Sequence, residues 1–205
     1  MAIDFKALHE ARLQRNPPQL RTCQLSPLLE IHYYEHPGLE IGSVLWEGGK
    51  ALGEFLLQRD EIIAGKRVVE LGSGLGIAGL VAARTASVVH LTDKPELIPL
   101  LQRNIDVNHC FNASVFPYLW GTDPSAQLQP PYDVLLGADL LYIEASYEAL
   151  KASFKALTGP NSLLVLTWKH RGLGEARFIS SLQADYTEVE TASLGLVSLS
   201  VLQVS

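Results

Sequence analysis

The stretch Val68-Val69-Glu70-Leu71-Gly72-Ser73-Gly74-Leu75-Gly76-Ile77-Ala78-Gly79 restricts this chain more than any other. A short β-branched run ends at Glu70, four glycines fall within the next nine residues, and a small-residue apolar run continues to Arg84. The pattern predicts strand, tight turn and helix. Glycine is needed in such a turn because only a residue without Cβ takes positive φ at little cost, and bare backbone lets a ligand lie against the amides. The expected frame is a parallel α/β sheet, because a strand feeding a helix through a short turn is the first half of a β-α-β unit.

The glycines alone leave the ligand open. Gly72, Gly74 and Gly76 spell G-x-G-x-G, a spacing that holds S-adenosylmethionine (AdoMet), whereas Gly74, Gly76 and Gly79 spell G-x-G-x-x-G, the dinucleotide fingerprint. A β-α turn with no ligand is the third reading. The next apolar run, residues 87–92, ends in Asp93, 23 residues beyond Glu70, where a β-α-β unit returns its second strand beside the first. An acid at that tip accepts both hydroxyls of a ribose; the competing role is N-cap of a helix starting at Lys94-Pro95-Glu96. The turn and the acid support each other, which favours the ribose.

Around this hub the rest of the chain alternates. Residues 4–15 have apolar positions near helical spacing, and Asn16-Pro17-Pro18 stops them. Residues 24–41 read as one or two short strands forming a flap. His32 and His36 within it would lie about 13 Å apart on an extended segment, with no third ligand, so no metal is expected. Trp46 precedes a helix at 50–59, either as a core residue or as a cover over the cofactor. A helix is predicted at 95–107 and a third strand from Val115. Three prolines mark 123–131 as a loop. Residues 132–138 form a fourth strand, apolar at nearly every position as expected when both faces are covered. It ends in Gly137-Ala138-Asp139-Leu140-Leu141-Tyr142. A helix at 146–157, a strand at 162–168 and a helix at 174–182 follow. Lys169-His170-Arg171, at the end of that strand, reads as a solvated basic cluster. Residues 187–193 and 196–204 have no helix between them and read as an antiparallel hairpin. The predicted architecture is therefore α/β, a Rossmann-like doubly wound sheet of seven strands with the last antiparallel, plus a short N-terminal helix and flap. Residues 1–43, the helix and β flap, are expected to pack on a cofactor-binding domain at 44–205 as one structural unit.

Composition narrows the class. With 205 residues, 47% hydrophobic and 19% charged, the chain suits one globular domain. No apolar run approaches the roughly 20 residues needed to span a bilayer, and the first 15 residues mix acids and bases. We expect no membrane association and a cytoplasmic, or also nuclear, location. Cys23 and Cys110 are the only cysteines and lack zinc-ligand spacing, so both are expected to be free thiols. A net charge of −6 argues against a general grip on nucleic acid and favours a basic partner such as a lysine-bearing protein surface. A monomer is expected.

Glu70 with its glycines, Asp93, Trp120 and Asp139 all fall at carboxyl ends of predicted strands, where open α/β sheets bind ligands. With these residues in place the chain resembles the class I, seven-strand AdoMet-dependent methyltransferases. More narrowly, residues 45–205 resemble the lysine methyltransferase-like branch, methyltransferase family 16. The shared marks are the Trp46 turn, Glu70-Leu71-Gly72-Ser73-Gly74-Leu75-Gly76, Asp93, Asn104 with Asn108, Trp120-Gly121, and Asp139-Leu140-Leu141-Tyr142, which is similar to the branch's D-x-x-Y. The resemblance implies AdoMet as cofactor, with Trp46, Glu70, Gly72, Gly74, Gly76, Asp93, Trp120 and Ala138 around it. It also implies Asp139 and Tyr142 as catalytic residues at the substrate entrance, and a protein substrate such as a chaperone or translation factor. Two positions depart from the branch: Leu119 stands where an Asp is usual, so that contact is either missing or supplied by Asp123, and Trp46 is followed by Glu47-Gly48-Gly49.

Methyltransferases acting on base amines commonly carry [D/N]-P-P-[Y/F], and the tetrapeptide here has no proline, so a flipped base is disfavoured. The expected reaction is in-line methyl transfer to a lysine amine, with Asp139 orienting the incoming ammonium and Tyr142 closing the channel. A small-molecule or other side-chain N-methyltransferase and a non-catalytic binding module on the same fold stay open. An NAD-dependent oxidoreductase is disfavoured by the terminal hairpin and the lack of a second domain.

Overall fold

In the computed structural model, which describes residues 16–205, apolar runs and amphipathic segments alternate as strands and helices. The strands are β1 (Gln19–Ser26), β2 (Leu29–Glu35), β3 (Arg67–Leu71), β4 (Val88–Asp93), β5 (Ala113–Pro117), β6 (Tyr132–Ala138), β7 (Thr158–Trp168), β8 (Tyr186–Leu194) and β9 (Val197–Val204). The α-helices are α1 (Glu47–Gln58), α2 (Ile77–Ala82), α3 (Ile98–Val107), α4 (Tyr147–Leu157) and α5 (Glu175–Leu182). The helix predicted at 4–15 lies outside the described residues.

Seven strands form one sheet in the order β5-β4-β3-β6-β7-β9-β8. β3 to β7 run parallel, and β9 inserts between β7 and β8, antiparallel to both. The doubly wound sheet with an antiparallel last strand is thus as the sequence implied. Strand order reverses between β3 and β6, which opens a crevice at their carboxyl ends.

Alternation along the strands feeds two cores. Val68, Val134, Leu136 and Val165 point to one face and pack with α1, α2 and α3, while Val69, Leu71, Leu135, Leu164 and Leu166 point to the other and pack with α4 and α5. On α1 the buried residues Gly48, Leu52, Phe55 and Leu56 recur at helical spacing, which turns one stripe to the sheet. Among the described residues, no helix is long and apolar enough to cross a membrane.

β1 and β2 form a separate antiparallel hairpin that starts and ends earlier than the expected 24–41, at Gln19 and Glu35. Cys23, Leu25, Ile31 and Tyr33 bury its inner face in the first core. Its outer edge is held by two side chains, one in α3 and one at the C-cap of that helix. Asn104 Oδ1 accepts the Tyr34 N–H (2.6 Å) and its Nδ2 donates to the Tyr34 carbonyl (3.3 Å); Asn108 Oδ1 accepts the His32 N–H (3.1 Å) and its Nδ2 donates to the His32 carbonyl (2.6 Å). Four residues on a helix and two on a strand both advance about 6–7 Å, so the two amides stand in for a neighbouring strand.

Candidate active site

A cavity of ≈ 390 Å³ occupies the crevice at the carboxyl ends of β3, β4 and β6. Its floor is the glycine turn. Gly72 and Gly74 adopt φ of +61° and +56°. A Cβ on Gly72 would stand 3.0 Å from the Trp120 ring and 2.8 Å from Leu140, and one on Gly74 would stand 2.9 Å from the Gly42 carbonyl oxygen. The turn is therefore bare where the cavity touches it. Gly76 has φ of +79° but does not line the cavity; it caps α2, with Leu101 3.0 Å from where its Cβ would lie. Gly79 allows α2 to approach β4, since a Cβ there would come within 2.1 Å of Leu91.

The two acids at the strand tips differ. Glu70 is buried and its Oε2 accepts the Gly79 N–H at 3.1 Å. Burial pushes its carboxyl up to about 8, against the opposing hydrogen bonds from Gly79 and Ser73. It ties β3 to α2 and reaches the cavity wall. Asp93 accepts the Gly74 N–H on Oδ2 and the Lys94 N–H on Oδ1, both at 2.7 Å. Burial raises its carboxyl, and these backbone donors oppose the rise. Asp93 does not cap α3, which starts at Ile98 after a cap at Leu97. Each Asp93 oxygen retains a lone pair, so it can accept a ribose hydroxyl.

The walls are aromatic and apolar. Trp46 sits at the cap of α1, donates its indole N–H to the Ile41 carbonyl (2.8 Å) and is 44% exposed at the mouth, so it is not a core residue. Trp120 leans on Tyr142 edge to face, with ring centroids 6.1 Å apart. Burial pushes the Tyr142 phenol up, opposed by the nearby Lys94 ammonium. Ala138 closes the wall at the end of β6. Asp123 is exposed and does not line the cavity, while Leu119 sits half-exposed on its rim. Among the described residues, no group of three His, Cys, Asp or Glu side chains is placed to hold a metal.

Asp139, just past β6, is buried and held in the left-handed region at φ +56°. Its own N–H donates to the Thr167 carbonyl (2.8 Å), and its Oδ2 accepts the Gly48 N–H in the first turn of α1 (2.9 Å). Its Oδ1 pairs with Arg171 Nη2 at 2.9 Å. The sequence reading left Arg171 in solvent; the structure brings it into the cavity wall. A segment leading from the flap, residues 36–46, crosses the glycine turn, with Gly42 against Gly74 and Glu40 pairing with Lys94 at 3.4 Å. Nothing in the spacing of Glu40, Gly42 or Lys94 signals that placement.

The cradle fits a nucleoside with a charged tail: glycine backbone without side chains, an acid with lone pairs to spare, aromatic walls and a second acid beyond. Sheet order and site together define the class of the seven-strand AdoMet-dependent methyltransferases, and AdoMet is the cofactor. Solved structures agree on the fold: a 16S rRNA methyltransferase (RsmC) from T. thermophilus superposes with TM-score 0.71 at 15% identity, over 92% of this chain and 51% of that one. The ribosomal protein L11 methylase of Lactobacillus delbrueckii subsp. bulgaricus gives 0.65 at 15% identity, over 90% and 99%.

Within that class the chain belongs to the lysine methyltransferase family, whose model matches residues 26–185. Protein N-lysine methyltransferase METTL21A of Danio rerio is 30% identical over 156 residues, 74% of this chain and 72% of the relative. EEF1A lysine methyltransferase 3 of Mus musculus is 30% identical over 157 residues, 75% and 67% respectively.

Proposed function

We propose that this methyltransferase acts on a lysine side chain of a protein, as a monomer and without nucleic acid, and that Asp139 receives the amine. The observation that carries the reading is the buried Asp139 carboxylate, fixed by the Gly48 N–H in the wall of the cofactor cavity. The family membership and the names of the relatives support a protein-lysine acceptor. Bound AdoMet supplies an electrophilic methyl group.

The rest falls to the chain. Gly72 and Gly74 leave room for the cofactor, Asp93 would accept its ribose hydroxyls, and Trp120 would hold its adenine. Trp46 covers the mouth. A lysine ammonium, with a reference pKa of about 10.4, must lose its proton before it can act as nucleophile. Asp139 draws the ammonium in and aligns it, Tyr142 closes the channel against water, and the proton leaves to solvent. Positioning then supplies most of the acceleration. The exposed apolar side chains at the rim, Ile41, Trp46 and Leu119, suit a folded protein surface as acceptor. The relatives' names point to a translation factor, and family resemblance adds chaperones.

The test uses methyl-labelled AdoMet and two cell lysates, one native and one with its lysine amines blocked by reductive alkylation. The reading predicts a discrete labelled protein in the native lysate alone. Equal labelling of both would exclude lysine, and label confined to small molecules would exclude a protein acceptor.

A further inference from the structure

We infer that Arg171 is an internal occupant of the acceptor position: its guanidinium holds Asp139 until a substrate ammonium displaces it. The inference deepens the functional reading above and rests on Asp139 being the seat of the amine.

Four observations carry it. First, the two oxygens of Asp139 are engaged differently. Oδ2 is held by a backbone N–H that cannot leave, and among the described residues Oδ1 is held only by the side chain of Arg171, which lines the same cavity. A cation arriving through the cavity meets Oδ1 with another cation already on it. Second, the grip is incomplete. A guanidinium favours a two-point contact with a carboxylate, but Arg171 makes one, and its Nη1 is buried with no hydrogen-bond partner among the described residues. A buried donor left unpaired opposes the closed arrangement, and swinging the head group outward returns that donor to water.

Third, the backbone of Arg171 is fixed independently of its side chain. The fully buried Glu175 accepts the Arg171 N–H at 2.7 Å and the Leu173 N–H at 3.0 Å. Burial acts to raise the Glu175 carboxyl, but these N–H groups outweigh it and hold it below the ordinary range, so the tie persists as a carboxylate. The exchange is thus a side-chain rotation rather than a loop movement. Fourth, a permanent charge is needed at this place. A carboxylate buried as Asp139 is would be costly alone, and arginine keeps its proton at every working pH, so the empty acceptor position is always neutralised.

The consequence concerns selection. A ligand competing with an internal occupant has its apparent affinity reduced by the fraction of enzyme in the open state. Neutral side chains have nothing to offer Asp139 in exchange for the guanidinium, whereas an ammonium replaces one charge with another. Arg171 thereby sharpens the preference for a cationic side chain.

The probe is n-butylammonium, the outer part of a lysine side chain, with n-butanol as its neutral counterpart. Each is titrated into protein saturated with S-adenosylhomocysteine and followed by amide chemical shifts. Wild type, Arg171→Met, Arg171→Lys and Asp139→Asn are compared, and S-adenosylhomocysteine affinity shows that each variant is folded. If the closed state outweighs the open one by about four to one, removing the guanidinium tightens butylammonium binding about fivefold in Arg171→Met. Arg171→Lys, which keeps a competing cation, should stay near wild type, and butanol should bind none of them. Binding in Arg171→Met equal to or weaker than wild type overturns the role of Arg171 and leaves Asp139 standing. Binding in Asp139→Asn as tight as wild type, or no saturable binding in any variant, overturns Asp139 as the seat.

Discussion

Gly48 and Gly49 look interchangeable in the sequence, yet only one of them faces the Asp139 carboxylate. A Cβ on Gly48 would lie 2.5 Å from Asp139 Oδ2 and 2.7 Å from its Cγ, whereas a Cβ on Gly49 would meet nothing within 4 Å. Ordinary contact begins near 3.4 Å, so Gly48→Ala requires Asp139 to retreat by about 1 Å. That retreat breaks the hydrogen bond from the Gly48 N–H, worth about 1.5–3 kcal/mol for a charged acceptor. Better helix propensity returns about 1 kcal/mol, which leaves a net loss of about 0.5–2 kcal/mol. A reacting group misplaced by about 1 Å costs on the order of 100-fold in rate. Gly49→Ala, on the cavity lining, keeps the propensity gain without the clash, should be stabilised by up to about 1 kcal/mol and leaves Asp139 in place. Thermal unfolding and initial rates of methyl transfer on the two variants decide the matter. If Gly48→Ala is as active as Gly49→Ala, the placement of Asp139 does not control the reaction and the reasoning fails.

Asn104→Ala removes three hydrogen bonds that this fully buried side chain makes to backbone groups of the flap and the glycine turn, and should cost about 2–4 kcal/mol in urea denaturation. Asp93→Ala should weaken AdoMet by about tenfold or more in calorimetry, since a charged hydrogen bond is worth about 1.5–3 kcal/mol and about 1.4 kcal/mol is tenfold. Glu70 gives a pH signature. Its folded carboxyl is raised from 4.5 to about 8, so between these values the folded state holds a proton that the unfolded state has lost. That contribution to stability is complete below pH 4.5 and declines as pH rises to 8. Glu70→Gln should therefore gain on wild type as pH increases across this window, read as the difference in denaturation midpoints; a constant difference would show that Glu70 is ionised throughout.

The strands and helices that build the sheet were legible because each carries its own period. Residues 132–138, apolar nearly throughout, became the buried β6 with matching ends. The terminal hairpin was legible too; that β9 rather than β8 joins β7 follows from composition, since β8 carries Glu188 and Glu190 and is mostly exposed while Leu199, Val201 and Leu202 of β9 are buried. β1 began earlier than expected because its first four residues are exposed and polar matter there is free to vary; Cys23 and Leu25 alone mark its inner face.

At the site, the glycine turn and Asp93 could be read from local spacing. Arg171 could not. Its partner Asp139 is 32 residues away, and a basic cluster after a strand has the same composition whether it meets solvent or a carboxylate. Gly76 was expected at the cofactor on the strength of the motif, and the structure places it at the cap of α2 against Leu101. Asn104 and Asn108 were visible as marks of resemblance with no physical role attached. Their pairing with His32 and Tyr34 depends on a strand and a helix meeting edge to side, which no local pattern encodes.

The central claim, methyl transfer to a protein lysine seated at Asp139, is tested most directly by mapping the modified atom. Lysate protein labelled by the purified enzyme with AdoMet is digested and sequenced by tandem mass spectrometry, with Asp139→Asn run in parallel and its AdoMet affinity measured by calorimetry. The account predicts methyl groups on lysine Nζ of a discrete protein, lost with Asp139→Asn although that variant still binds AdoMet. Methylation at another kind of side chain, or transfer by Asp139→Asn at the wild-type rate, would contradict it.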